Sequence, residues 1–107
     1  MRKFIANALS LNMIAAGVTA GQIDFSVADL LAAKEFANGA VSIVGHPDSA
    51  AQIGNDLGRE VTPNRATVAL EPGDELLVAQ YRGQRLPEGT TKLPEGVSFT
   101  YYKVKLV

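Results

Sequence analysis

An α/β fold is predicted, with a mixed, mostly antiparallel β-sheet and two main helices in a single domain over residues 1–107. Three observations predict it. Two segments, opening near Ser26 and at Pro47, carry the start and stop chemistry of helices. The turn sequence Glu71-Pro72-Gly73-Asp74 separates two alternating runs, as in a hairpin. Residues 99–107 alternate strongly enough to form a final strand. A chain of 107 residues buries roughly 60–70% of the surface that its unfolded form exposes, enough for one core.

Residues 4–7 read as a short strand leading into the polar-apolar segment 8–13. Arg2 and Lys3 ahead of the apolar run 8–18 have the outline of a signal peptide, but Asn7, Ser10 and Asn12 interrupt it. The segment therefore reads as the first strand and loop of a cytoplasmic protein. Residues 17–21 form a turn, and Gln22 to Phe25 alternate as a half-buried strand does. Ser26-Val27-Ala28-Asp29 has the capping-box form, Val27, Leu30 and Leu31 follow at helical spacing, and Asn38-Gly39 ends the helix. Residues 40–44 make a short apolar strand. Pro47 then suits the first position of a second helix, Asp48 favours the positive end of its dipole, and Gly58 stops it. Ala50, Ile53 and Leu57 give this helix a narrow apolar stripe. Residues 65–70 and 75–81 pair as the hairpin, and residues 82–96 form a long polar loop.

Composition removes several classes of function. Ten Lys and Arg stand against 11 Asp and Glu, a net charge of −1, which argues against a protein that grips duplex DNA through a broad basic face. With no cysteine there are no disulfides, thiol nucleophiles or cysteine-held metals, and a single histidine excludes a multi-histidine metal site within one chain. No segment approaches the roughly 18–20 apolar residues of a membrane-crossing helix. No phosphate-binding glycine loop, zinc-protease motif or serine elbow is present.

What remains is His46, at the strand-to-helix junction Ile43-Val44-Gly45-His46-Pro47. Gly45 allows close approach of a ligand to the backbone, and free amides at the helix start can hold a phosphate beside the imidazole. That pairing suits a phosphodiester whose leaving oxygen needs a proton. The commoner role of such a histidine is to cap the helix with no chemistry at all. Arg65, Arg82 and Arg85 are candidate anion clamps, and Glu88 follows Arg85 in a loop bounded by proline and glycine. The alternative is a solvated surface ion pair worth about 0–1 kcal/mol. Asn7, Ser10 and Asn12 offer donors and acceptors for a base or ribose, or else close local turns.

Four blocks, in order, carry a family resemblance. Residues 5–13, Ile-Ala-Asn-Ala-Leu-Ser-Leu-Asn-Met, resemble an N-terminal segment of the form LANAFSINM. Ser42 to His46 resemble SAIGH, Asn64-Arg65 a strand opening NRV, and Gln84 to Gly89 the loop QRLPEG. These are the segments of the viral anti-CRISPR ring nucleases of type III systems, first seen in archaeal viruses, and of their cellular CRISPR-associated relatives. The resemblance implies a two-fold homodimer that binds cyclic tetra-adenylate, the second messenger of type III defence, and cleaves it with no metal and no cofactor. It implies that His46 is the general acid on the leaving 5′ oxygen and Glu88 the catalytic glutamate. Arg65 and Arg85 would face phosphate, while Asn7, Ser10, Asn12, Gly45 and Gln84 would line the ligand. The 2′-hydroxyl of the ring attacks phosphorus, giving linear products that end in a 2′,3′-cyclic phosphate. The segment 90–98 is short for the helix that many relatives carry there.

A ring cut by this chain would silence a defence signal in the cytoplasm of its host cell. Two other readings stand beside this one. A sponge or sensor would hold the ring without cutting it, and would need neither His46 nor Glu88. A structural or DNA-associated viral protein would need basic residues on a helix face, and residues 46–58 carry none.

Overall fold

The computed structural model describes residues 2–14 and 21–107. Five strands form one mixed sheet in the order β2-β5-β4-β1-β3. Along the chain these are β1 (Lys3–Ala6), β2 (Ile23–Ala28), helix α1 (Leu30–Ala37), β3 (Val41–Ser42), helix α2 (Pro47–Leu57), β4 (Glu75–Arg82) and β5 (Ser98–Leu106). A single 3₁₀ turn, Leu11–Met13, follows β1. β1 runs parallel to both β3 and β4, whereas β5 runs antiparallel to both β4 and β2. The antiparallel ladders are the longer ones, so the sheet is mixed and mostly antiparallel, as expected. Most of the turn expected at 17–21 lies outside the described residues. No helix among the described residues is long and apolar enough to cross a membrane.

The central strand explains the two-sided core. In β4 the run Leu76-Leu77-Val78-Ala79 is buried throughout, because alternate side chains point to opposite faces and both faces are covered. Leu77 and Ala79 join Ile5 and Tyr101 beneath both helices, against Ala33, Phe36, Ala50, Ile53 and Leu57. Leu76 and Val78 face the other way, with Phe4, Val104 and Leu106, under Met13, Ile14, Val68 and Leu70. Tyr101 sits in the first of these layers and donates its hydroxyl to Asp56 Oδ2 at 2.6 Å, tying β5 to α2. Burial, followed by the hydrogen bond to Asp56 and its charge, pushes the phenol well above its ordinary range.

Three expectations about local structure are corrected. The capping box is not used: β2 continues through Ser26 to Ala28, and Asp29 caps α1 by accepting from the Ala32 N–H at 2.8 Å. Val27 therefore belongs to a strand, and Leu30 and Leu31 are exposed; α1 packs through Ala33, Phe36 and Ala37 instead. The hairpin does not form. Its turn exists, with the Asp74 N–H donating to the Glu71 carbonyl at 2.9 Å, but residues 65–69 are outside the sheet. Only Leu70 pairs there, in an isolated parallel bridge with Ile14. Both edges of β4 are already occupied, by β1 and β5. The strand expected over 40–44 shortens to Val41–Ser42, while α2 matches its expected bounds, with Gly58 at φ 70° closing it.

Candidate functional site

The parallel strands β1, β3 and β4 all end at one edge of the sheet, and the antiparallel β5 begins there. In open α/β sheets this carboxyl edge is where ligands enter, most often where neighbouring connections diverge. Asn7 follows β1, Gly45 and His46 follow β3, and the loop carrying Arg85 and Glu88 follows β4. A cavity of about 670 Å³ opens at this edge, within the size range of small-molecule sites. Its walls bring together Asn7, His46, Arg85 and Glu88 with Ser49, Gln80, Tyr81 and Phe99. Among the described residues, no group of three or more His, Cys, Asp and Glu side chains comes together to hold a metal ion.

His46 is the N-cap of α2. Its backbone is extended, at φ −96° and ψ 126°, and its Nδ1 accepts from the Asp48 N–H at 3.2 Å. An accepting Nδ1 leaves the ring proton of the neutral imidazole on Nε2. The same geometry changes the expected anion site. Pro47 has no N–H, and the Asp48 N–H is taken by His46 itself, so the helix start does not offer a full set of free amides. Ser49, which lines the cavity, has no backbone N–H partner among the described residues.

Arg65 and Gly45 stand beside this junction but outside the cavity wall. Asn64 donates its backbone N–H to the Val44 carbonyl at 2.7 Å and its side-chain amide to the Ser42 carbonyl at 2.8 Å. This double bond to the chain leading out of β3 sets Arg65 across Gly45, where a Cβ would lie 3.4 Å from the Arg65 Cβ and Cγ. Arg65 is exposed there, against Gly45, the residue that precedes His46.

The remaining candidates divide. Ser10 caps the 3₁₀ turn, accepting from the Asn12 N–H at 3.3 Å, so its hydroxyl closes a local turn, and neither residue enters the cavity wall. Gln84 offers its carbonyl to the Tyr81 hydroxyl and also stays outside the wall. Arg82 is turned away: its guanidinium donates to the Tyr102 hydroxyl at 2.8 Å and to Thr100 Oγ1 at 3.3 Å. Arg85 and Glu88 are exposed in the loop that begins at Gly83. Only glycine fits at Gly83, because φ is 135° and a Cβ would meet Val97 Cγ1 at 2.4 Å. That close approach turns the chain from β4 over the cavity.

Sequence reasoning missed Asp48, Gln52, Tyr81 and Phe99, all of which line the cavity. A signal for the first two was available. Asp48 and Gln52 are four residues apart, one helical turn, beside the apolar stripe used to define α2. Gln52 is buried, which requires its amide to find a partner.

The family model described as STIV B116-like matches residues 3–102. Twelve chains of solved structures match. Among them is B116 of Sulfolobus turreted icosahedral virus, with a TM-score of 0.78 and 23% sequence identity, covering 98% of this chain and 99% of that one. At that identity the likeness establishes the shared fold. No curated protein matches the chain.

Proposed function

Because the chain belongs to the STIV B116-like family, whose model spans nearly all of it, we propose that this carboxyl-edge cavity is the active site of a metal-independent ring nuclease acting on cyclic tetra-adenylate. The observation that carries the reading is the meeting of Asn7, His46, Arg85 and Glu88, from three separate segments, in one cavity. These are four of the residues that the family resemblance marks for ligand and chemistry.

The 2′-hydroxyl oxygen bonds to phosphorus as the bond from phosphorus to the 5′ oxygen breaks. The departing oxygen takes a proton from His46 Nε2, and the proton of the attacking hydroxyl passes to Glu88 or to water. Glu88 orients the attacking hydroxyl or the imidazole. Donation from Nε2 requires the ring to be doubly protonated beforehand, and a proton on Nδ1 cannot coexist with the cap bond to Asp48. The cap therefore opens when the acid is charged. Arg85 and the Ser49 amide hold the phosphate, and Arg65, beside Gly45 and outside the cavity wall, adds positive charge nearby. Destroying the ring would switch off the effectors that it activates, in the cytoplasm of the host cell.

One observation favours a second reading, a sponge that binds without cutting: His46 already has a structural task as the cap of α2. Its exposure at the cavity wall weighs the other way.

A single chain presents few cations to four phosphates, whereas a two-fold dimer doubles His46, Arg65 and Arg85 around a ring with its own repeat. Titration calorimetry with cyclic tetra-adenylate, using His46→Asn to slow turnover, is expected to give one ring per two chains. Light scattering should give twice the chain mass. One ring per chain on a monomer would overturn the shared site.

A further inference from the structure

The loop that carries Arg85 and Glu88 has almost no structure of its own, yet one face of α2 grips it through three consecutive residues. Asp48 Oδ2 accepts from the Gly89 N–H at 2.7 Å. Gln52 Nε2 donates to the Thr90 carbonyl at 2.7 Å, and Asn55 Nδ2 to the Thr91 carbonyl at 2.6 Å. Among the described residues, these are the only hydrogen bonds that join 85–97 to another element; the rest, such as Thr90 to Pro87, are local turns.

The three gripping side chains fall at positions 48, 52 and 55, so helical spacing stacks them on one face of α2. Each bonds a backbone group, so the grip is independent of the loop's side chains. Gln52 is 8% exposed, and a buried amide at that position is costly unless it is bonded. At Gln52 solvation does not explain the residue, since a buried apolar side chain would pack there equally well; Asp48 is half-buried and Asn55 exposed.

We infer that Asp48, Gln52 and Asn55 form a latch that sets the height of the loop over the cavity, and that they are positioning residues for Arg85 and Glu88. The inference rests on the cavity being the site of ring cleavage for its consequence on rate, and on the hydrogen bonds alone for its consequence on the loop. His46 begins the same helix, so the latch fixes acid and glutamate to one rigid element. A displacement of about 1 Å between groups that must act together can lower a rate by about 10²-fold.

The test uses Gln52→Met with Asn55→Ala, which keeps helix propensity and core volume while removing both donors. Amide hydrogen exchange is followed by mass spectrometry in the full chain. Peptides covering 84–97 should exchange at least about tenfold faster, while peptides of α2 stay protected. Cleavage of cyclic tetra-adenylate should fall by about 10²-fold. Asp48→Ala should behave similarly, whereas Asp48→Asn keeps an acceptor oxygen and should retain both protection and rate. Unchanged exchange of 84–97 in the double variant would overturn the latch. Faster exchange with an unchanged cleavage rate would overturn the positioning role. If the parent protein leaves the ring uncut, the nuclease reading fails separately, and the exchange result still decides the latch.

Discussion

Replacing His46 with alanine is expected to slow cleavage of cyclic tetra-adenylate by about 10²–10⁴-fold, the usual worth of a positioned acid or base. Affinity for the ring should fall far less, because Arg85, Asn7 and Ser49 remain in the cavity wall. The alanine variant also loses the cap of α2, at a stability cost of about 1 kcal/mol. His46→Asn separates the two roles. Asparagine caps a helix at least as well as most residues but has no proton to give a departing alkoxide. Its melting temperature should stay near the parent's while its cleavage rate drops with the alanine variant's. A His46→Asn protein that cuts the ring at the parental rate would leave His46 as a cap and nothing more.

The largest expected loss of stability lies at the opposite edge of the sheet. Asp74 is 3% exposed and accepts four hydrogen bonds: from the Arg2 N–H, Nε and Nη2 at 3.1, 3.1 and 2.6 Å, and from the Glu71 N–H at 2.9 Å. Arg2 also donates to the Ala69 carbonyl at 2.8 Å, so the carboxylate joins the starts of β1 and β4 to the turn before β4. Asp74→Ala strands those donors and should cost about 3 kcal/mol, the low end for a broken buried ion pair because the Arg2 side chain is half-exposed. Burial is the largest single influence on this carboxyl and pushes it up. The Arg2 guanidinium and the backbone N–H groups of Glu71 and Arg2 together outweigh it, holding the group below its ordinary range. A carboxyl depressed in the folded state stabilises fully above its unfolded value of about 3.9, and that stability is lost as pH falls through the folded value. Denaturant unfolding of Asp74→Asn should therefore lose part of the acid limb seen in the parent. An identical pH profile in parent and variant would contradict this.

Reading the chain succeeded where the physics is local. Pro47, Asp48 and Gly58 delimit α2 without reference to anything distant, and the alternation after Phe99 needs only its own pattern to specify β5. It failed where a partner decides. Residues 65–70 alternate like a strand, but β4 is taken by β1 from the N-terminal end and by β5 from the C-terminal end, and no local signal reveals that. The same division runs through the candidate site. His46, Arg85 and Glu88 sit in short motifs that can be recognised residue by residue. The turn of Arg82 toward Tyr102 depends on cross-strand register, and the grip of Gln52 and Asn55 on the loop depends on tertiary packing. Ser10 illustrates a smaller lesson: a serine just before a short turn is more often its cap than a ligand.

Incubation of the purified protein with cyclic tetra-adenylate in excess EDTA, followed by chromatography and mass analysis of the product ends, tests the nuclease reading most directly. Linear products ending in a 2′,3′-cyclic phosphate, formed at the same rate with and without chelator, are the predicted result. A ring that survives intact, or that is cut only when a divalent cation is added, would contradict it.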